Sequence, residues 1–312
     1  MQKFAFVFPG QGSQKLGMLA DLAEHYPVIV DTFREASSVI DLDLWDICQH
    51  DGSNMLDTTE VTQPLLLTAS VAIWRLWQSE GGPTPLIMAG HSLGEYSALT
   101  CAGVIEFADA VNLVHKRGRY MQSTVPAGTG AMAAIVGLDG ESINTICATV
   151  AHGEIVSAAN YNSPGQIVIA GSASAVQRAM IACKDAGAKR ALPLKVSVPS
   201  HCELMRPASE KLADDLKSIT FNEATIPVVQ NVNARITTDP QTIKNNLLEQ
   251  LYRPVLWIDC IQFMRQGGVS KVIECGPGMV LCGLIKRIDK ELATFGCEDN
   301  QSFSQAKEEV SV

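Results

Sequence analysis

Leu86-Ile87-Met88-Ala89-Gly90-His91-Ser92-Leu93-Gly94-Glu95-Tyr96-Ser97-Ala98-Leu99 decides the reading of the fold. An apolar run ends in Gly-x-Ser-x-Gly and a small-residue helical pattern follows, the layout of a strand, a sharp turn and a helix. That is the pattern of a nucleophile elbow. Gly90 and Gly94 allow a turn tight enough to hold Ser92 in a strained conformation, its hydroxyl exposed at the strand's end. The helix starting there aims free N–H groups at whatever accumulates negative charge. An ordinary strand-to-helix turn carries the same letters, so the pentapeptide needs support from the rest of the chain.

A chain of 312 residues is long enough for one large core or two unequal domains. A formal charge of −9 argues against general nucleic-acid binding, which rests on a basic face neutralising phosphates. Small anionic ligands stay open, because one local arginine can hold them. The apolar run 4–9 is too short for a signal h-region and reads as the first strand. No charge-free run approaches the roughly 18 residues of a membrane span, so no membrane association is expected. The nine cysteines are scattered, odd in number and without a C-x-x-C pair. They suggest reduced thiols in a cytoplasm rather than a disulfide frame or a zinc site.

After the first strand, Phe8-Pro9-Gly10-Gln11-Gly12-Ser13-Gln14 is a glycine-rich loop, readable as a bare turn or as a backbone cradle for an anion. A dinucleotide fingerprint would need glycine at position 15, where Lys15 stands. Residues 20–50 look helical, and 62–77 form an amphipathic helix with Pro64 in its first turn. The order strand, helices, strand, elbow, helix is an α/β pattern with a parallel sheet. In the next helix, 107–123, polar residues share one face while Ala110, Leu113, Val114 and Met121 mark the other. Arg117 falls on that apolar side, either as a structurally paired cation or as a clamp for a substrate carboxylate.

Beyond the break at 126–130 comes a compact alternation: strand 131–138, helix 141–150, strands 154–159 and 166–171, helix 174–186, strand 190–198. The order β-α-β-β-α-β is ferredoxin-like. The expected architecture is therefore a discontinuous α/β-hydrolase-like domain, 1–126 and 199–312, with a small ferredoxin-like domain, 127–198, inserted. Segment 160–165 reads as the turn between the two central strands, or as a polar lip over the site carrying Asn160 and Asn162. Further on, a strand is expected at 226–232, helices at 240–251 and after Pro254, and a last strand at 271–275 before a final helix. Past 296 the chain is polar and reads as frayed.

Ser197-Val198-Pro199-Ser200-His201 presents a histidine before a helix. His91 adjoins the serine but should point away from its hydroxyl, and the other histidines lie in surface-like segments or on a helix flank. An elbow serine needs a base, so Ser92 and His201 make a minimal acyl-transfer pair. Leu93, after the nucleophile, and the loop at Gln11 can supply N–H donors to a tetrahedral intermediate. No acid partner for His201 is evident, and a third of the chain follows it, which weakens a lipase or esterase reading. A hydrolase that lets water resolve the acyl-enzyme, and a non-catalytic binding or scaffold protein, remain as alternatives.

Taken together, Phe-Pro-Gly-Gln-Gly-Ser-Gln, Gly-His-Ser-Leu-Gly-Glu-Tyr-Ser-Ala, Lys-Arg-Gly-Arg-Tyr-Met around Arg117, Asn-Ser-Pro-Gly-Gln at 162–166, Val-Pro-Ser-His and Glu-Cys-Gly-Pro-Gly resemble one family. It is the malonyl-CoA:acyl carrier protein transacylase family of bacterial fatty-acid synthesis, and the resemblance spans about residues 3 to 290. It implies a ping-pong enzyme in which Ser92 is acylated by malonyl-CoA with His201 as base, then loses the malonyl group to the phosphopantetheine thiol of acyl carrier protein. Arg117 would hold the malonyl carboxylate, and the Gln11 and Leu93 N–H groups would form the oxyanion hole. A backbone carbonyl at Gln250 would orient His201 in place of an acid. His91, Met121, Asn160, Asn162 and Gln166 would contact substrate. Coenzyme A enters as a substrate thioester, no tightly bound cofactor is implied, and a cytoplasmic monomer is expected. An acidic carrier needs a basic patch, for which Lys184, Lys189, Arg190 and Lys195 are candidates.

Overall fold

Side chains of a strand point alternately to opposite faces, and the opening Phe-Ala-Phe-Val-Phe uses both. Phe4, Phe6 and Phe8 enter one core with Trp74 and Trp77, while Ala5 and Val7 enter a second with Trp257, Ile261 and Ile285. Phe6 meets Trp77 and Trp74 edge-on at 5.0 and 5.6 Å between ring centroids. Burial of each such ring stabilises the fold by about 1.5–3 kcal/mol.

The computed structural model describes residues 3–126, 128–196 and 198–311. Its elements begin β1 (Phe4–Phe8), α1 (Ala20–His25), α2 (Pro27–Ile40), α3 (Leu44–Gln49), α4 (Thr59–Ser79), β2 (Ile87–Gly90), α5 (Leu93–Cys101) and α6 (Phe107–Thr124). A second group follows: β3 (Gly130–Val136), α7 (Gly140–Val150), β4 (Val156–Ser163), β5 (Gln166–Ser172), α8 (Ala173–Asp185) and β6 (Arg190–Pro193). The chain then forms α9 (Arg206–Ser218), β7 (Val228–Val229), α10 (Pro240–Gln250), α11 (Trp257–Gln266), β8 (Lys271–Glu274), α12 (Val280–Ile288), β9 (Ala293–Gly296) and α13 (Asn300–Val310).

Five strands pair in parallel in the order β7-β2-β1-β8-β9, with β1 at the centre. Helices cover both faces, as a parallel sheet requires. The second group forms a four-stranded antiparallel sheet, β4-β5-β3-β6, the ferredoxin-like order. Its α7 and α8 cover one face through Ile143, Cys147, Val176 and Ala179. Met132, Val168 and Ala170 on the other face pack with Cys202 of the following segment. The loops at the C-terminal ends of β1 and β2 lie side by side at that junction, where open α/β sheets place their sites.

Several sequence expectations are corrected. α4 begins at Thr59, three residues before the expected 62, so Pro64 lies inside the helix rather than in its first turn. Pro64 has no N–H for the Glu60 carbonyl, and His115 Nδ1 of α6 donates to that carbonyl instead, at 2.9 Å. Segment 160–165 is mostly strand, because β4 runs to Ser163. Tyr161 N–H donates to the Val255 carbonyl and Val255 N–H to that of Ala159, both at 2.9 Å, holding the asparagine segment extended.

β6 ends at Pro193 rather than 198, proline having no N–H for a ladder. Ala127 and Ser197, part of the expected break and of that strand, lie outside the described residues. β7 is two residues long rather than seven, because the chain turns back at Gln230, whose N–H donates to Arg235 O. Strand 271–275 is not the last. β9 adds beside β8, and α13 follows with an Asp299–Ser302 capping box. The segment of α13 reads as polar because only Phe303, Ala306 and Val310 in it are apolar, yet they share one helical face and are buried.

Candidate active site

Two glycines set the turn after β2. A Cβ on Gly94 would lie 2.0 Å from the Phe8 carbonyl oxygen, and one on Gly90 would lie 1.8 Å from the Gly94 carbonyl carbon. Only bare backbone fits, so α5 starts directly against β1. Ser92 between them takes φ 54° and ψ −110°, a conformation a side chain rarely adopts. Its Oγ sits 2.7 Å from His201 Nε2.

His201 is buried, with its own N–H donated to Leu251 O at 2.9 Å. Its Nδ1 lies 2.6 Å from the Gln250 carbonyl. A carbonyl can only accept, so Nδ1 carries the proton and Nε2 is left with a lone pair facing the serine hydroxyl. Burial, then the nearby Arg117 charge, pushes the His201 pKa down to about 3. The imidazole is therefore neutral, able to take a proton from Ser92. Cys202 next to it is buried, donates to Pro199 O at 3.2 Å, and has its thiol pushed up to about 12 by burial. It is held as a protonated, inert thiol.

Arg117 is 1% exposed beneath the serine. Nη1 donates to Gln63 Oε1 at 2.7 Å and Nη2 to Gln250 Oε1 at 3.0 Å, with Ser92 Oγ 3.5 Å from Nη2. Burial lowers its pKa, but a guanidinium keeps its proton across the range in which proteins work. The guanidinium lies 5.3 Å over the Tyr96 ring. Neutral amides thus make the guanidinium's hydrogen bonds next to the nucleophile, while the carboxylate of Glu95 interacts with its charge from beyond Gln250.

A cleft of about 200 Å³ opens above this group. Ser92, His201, Gln11, Leu93, Arg117, His91, Met121, Asn160 and Asn162 all line it. Among the described residues no protein acceptor engages the backbone N–H of Gln11 or Leu93, and Leu93 opens α5, where N–H groups are free and the helix dipole is positive. His91 faces away toward the small sheet, donating Nε2–H to Asn162 Oδ1 at 2.8 Å, and burial lowers its pKa. Gln166 does not line the cleft; its amide oxygen accepts from Arg287. Gln250 is fully buried behind His201 and outside the lining. No group of three or more His, Cys, Asp or Glu among the described residues could hold a metal, and no helix there is long and apolar enough to cross a membrane.

Residues 5–299 match the family described as acyl transferase domain. The chain belongs to the acyl transferase family. Within that family it is 56% identical to the malonyl CoA-acyl carrier protein transacylase of Escherichia coli strain K12, over 99% of this chain and all of the relative. Identity to the transacylase of Bacillus subtilis strain 168 is 45%, over 98% of this chain and 96% of that one. An acyl carrier protein S-malonyltransferase from Vibrio cholerae superposes with a TM-score of 0.96 at 57% identity, covering 98% of this chain and all of that one. A malonyl-transacylase solved with a type II PKS acyl-carrier protein gives 0.97 at 56% identity, covering 99% and 100%.

Three residues of this acyl transferase's site carry no signal that separates them from structural residues in the sequence. Gln63 precedes a proline and reads as part of a helix opening, yet it holds Arg117. Glu95 reads as one more helix residue after the elbow, yet it is fully buried. Asn231 lies in what reads as a strand, yet its amide spans the elbow: Oδ1 accepts from Ser92 N at 2.8 Å and Nδ2 donates to Gly90 O at 2.6 Å.

Proposed function

We propose that this chain moves a malonyl group from malonyl-CoA to the phosphopantetheine thiol of acyl carrier protein through an ester on Ser92. The observation that carries the reading is a Ser92–His201 pair at 2.7 Å with a buried arginine 3.5 Å from the same hydroxyl. Ser92 Oγ attacks the thioester carbonyl as its proton passes to His201 Nε2. The oxyanion receives the N–H groups of Gln11 and Leu93, and the intermediate collapses as His201 returns the proton to the departing coenzyme A sulfur. The carrier thiol then repeats the sequence in reverse, regenerating Ser92. Malonyl carries its free carboxylate two carbons beyond the ester carbonyl, within reach of the Arg117 guanidinium.

The Gln250 carbonyl fixes the histidine tautomer, as a carboxylate would, without a full negative charge. The imidazolium is accordingly less stabilised than in a Ser-His-Asp site. A thiol, with a pKa near 8.5, leaves more readily than an amine and demands less of the acid that protonates it. That balance favours exchange between thioesters over amide hydrolysis. Carrier binding is supported by the related malonyl-transacylase solved with an acyl-carrier protein. Exposed Lys189, Arg190 and Lys195 are the candidate docking charges; Lys184 turns its Nζ onto the Ala188 and Lys189 carbonyls. A cytoplasmic, monomeric enzyme without a resident cofactor fits this chemistry.

Initial rates with malonyl-CoA and holo carrier varied together test the proposal. Parallel double-reciprocal lines are expected for an acyl-enzyme; intersecting lines would mean a ternary complex and remove the Ser92 ester from the reaction.

A further inference from the structure

Glu95 is fully buried one turn into α5, and the transfer chemistry above does not use it. Its Oε2 accepts from two donors, the Asn231 backbone N–H at 3.1 Å and Gln250 Nε2 at 2.7 Å. Each donor residue also holds one end of the nucleophile's peptide. Asn231 Oδ1 accepts from Ser92 N–H at 2.8 Å, and Gln250 Nε2 donates to Ser92 C=O at 2.9 Å. Both backbone groups of the strained serine are therefore tied, through one residue each, to a single carboxylate oxygen.

The topology explains why side chains do this work. β7 pairs with β2 only at Met88↔Val228 and Ala89↔Val229. At Gln230 the main chain turns away, and the Asn231 amide continues the ladder, offering its donor to Gly90 and its acceptor to Ser92. Gln250 reaches further: its carbonyl accepts from His201 Nδ1, and its Oε1 accepts from Arg117 Nη2. Its Nε2 faces two acceptors, Glu95 Oε2 and the Ser92 carbonyl, and the carboxylate is the nearer of the two. Glu95 Oε1 and Arg117 Nε are both buried without a hydrogen-bond partner among the described residues, so the two groups interact through charge and not through a direct hydrogen bond.

We infer that Glu95 is a positioning residue, the hub through which Asn231 and Gln250 hold the Ser92 elbow, the His201 base and the Arg117 clamp in one frame. It acts through those residues and touches no reacting atom. The inference rests on the reading of Ser92 as nucleophile and goes beyond it.

The test compares Glu95→Met, which keeps the volume and removes the acceptor, with Glu95→Gln, which keeps an acceptor oxygen. Glu95→Met leaves the Asn231 N–H and one Gln250 N–H without an acceptor, so its folding is checked first by circular dichroism and urea unfolding. Two readouts are taken on the full chain: kcat and KM for malonyl-CoA with holo carrier, and the rate at which a fluorophosphonate labels Ser92. The probe needs the elbow and His201 but not Arg117. Glu95→Met should lower kcat and the labelling rate together by about 10²-fold with KM changed less than threefold, and Glu95→Gln should restore both to within about fivefold. Asn231→Ala serves if Glu95→Met does not fold, and should lower the labelling rate at least tenfold.

Labelling and kcat within threefold of wild type in folded Glu95→Met, or labelling within threefold in Asn231→Ala where that variant stands in, would overturn the inference and leave Ser92's role intact. Failure of Glu95→Gln to recover would overturn it as well, because charge rather than hydrogen-bond geometry would then be the requirement. A wild type that the probe labels no faster than Ser92→Ala would instead remove the reading of Ser92 itself.

Discussion

Replacement of Arg117 by alanine separates the two acyl donors that the site must tell apart. Arg117 lies fully buried, with Nη1 and Nη2 on Gln63 and Gln250 and Nη2 3.5 Å from Ser92 Oγ. A malonyl carboxylate reaching it would gain two charge-assisted hydrogen bonds. Hydrogen bonds to charged groups contribute about 1.5–3 kcal/mol each, so a pair accounts for roughly 3–6 kcal/mol. At 1.4 kcal/mol per factor of ten, kcat/KM for malonyl-CoA should fall between about 10²- and 10⁴-fold. Acetyl-CoA has no carboxylate to lose, and its kcat/KM should stay within about threefold. The assay follows coenzyme A release with holo carrier as acceptor, for both donors and both proteins. Equal losses for the two donors would refute the reasoning, because Arg117 would then be holding the elbow rather than the acyl group.

His201, with a pKa of about 3 against the ordinary 6.5, stays an unprotonated base as pH falls, so malonyl loading should show no acid limb near pH 6.5. Between those values the unfolded chain binds a proton that the folded one refuses. Stability should therefore fall by roughly 2 kcal/mol from pH 8 to pH 5 through this residue, a slope that urea unfolding should find missing in His201→Gln. Phe303 packs edge-on against Trp77 at 5.8 Å from a helix that reads as a frayed tail, and Phe303→Ala should cost about 3 kcal/mol in the same assay. All nine cysteines are free and buried, so a thiol reagent should find nine groups in denaturant and react only slowly with the native protein.

The elbow was legible because its requirements are local: two glycines, a serine and an apolar strand suffice to specify a turn in which no side chain fits. Arg117 was legible from periodicity, which forces it inward on α6, although its amide partners were not. The ferredoxin-like segment was legible from element order, while its central turn was misplaced because a second backbone partner at Val255 keeps Asn160–Ser163 extended. Asn231 and Glu95 acquire their places only when β7 meets β2 and α5 packs against the segment after β7. An asparagine between Gln230 and Val232 carries no mark of that meeting. The C-terminal helix was hidden by its composition, since three apolar residues in eleven suffice once Trp77 offers a surface to receive them.

The most direct measurement is the intact mass of the protein after mixing with malonyl-CoA and again after addition of holo acyl carrier protein, for wild type and Ser92→Ala. A malonyl adduct on wild type alone, passing onto the carrier, is the predicted result. An adduct that decays equally fast without the carrier would mean water is the acceptor, and an adduct retained by Ser92→Ala would place the acyl group elsewhere.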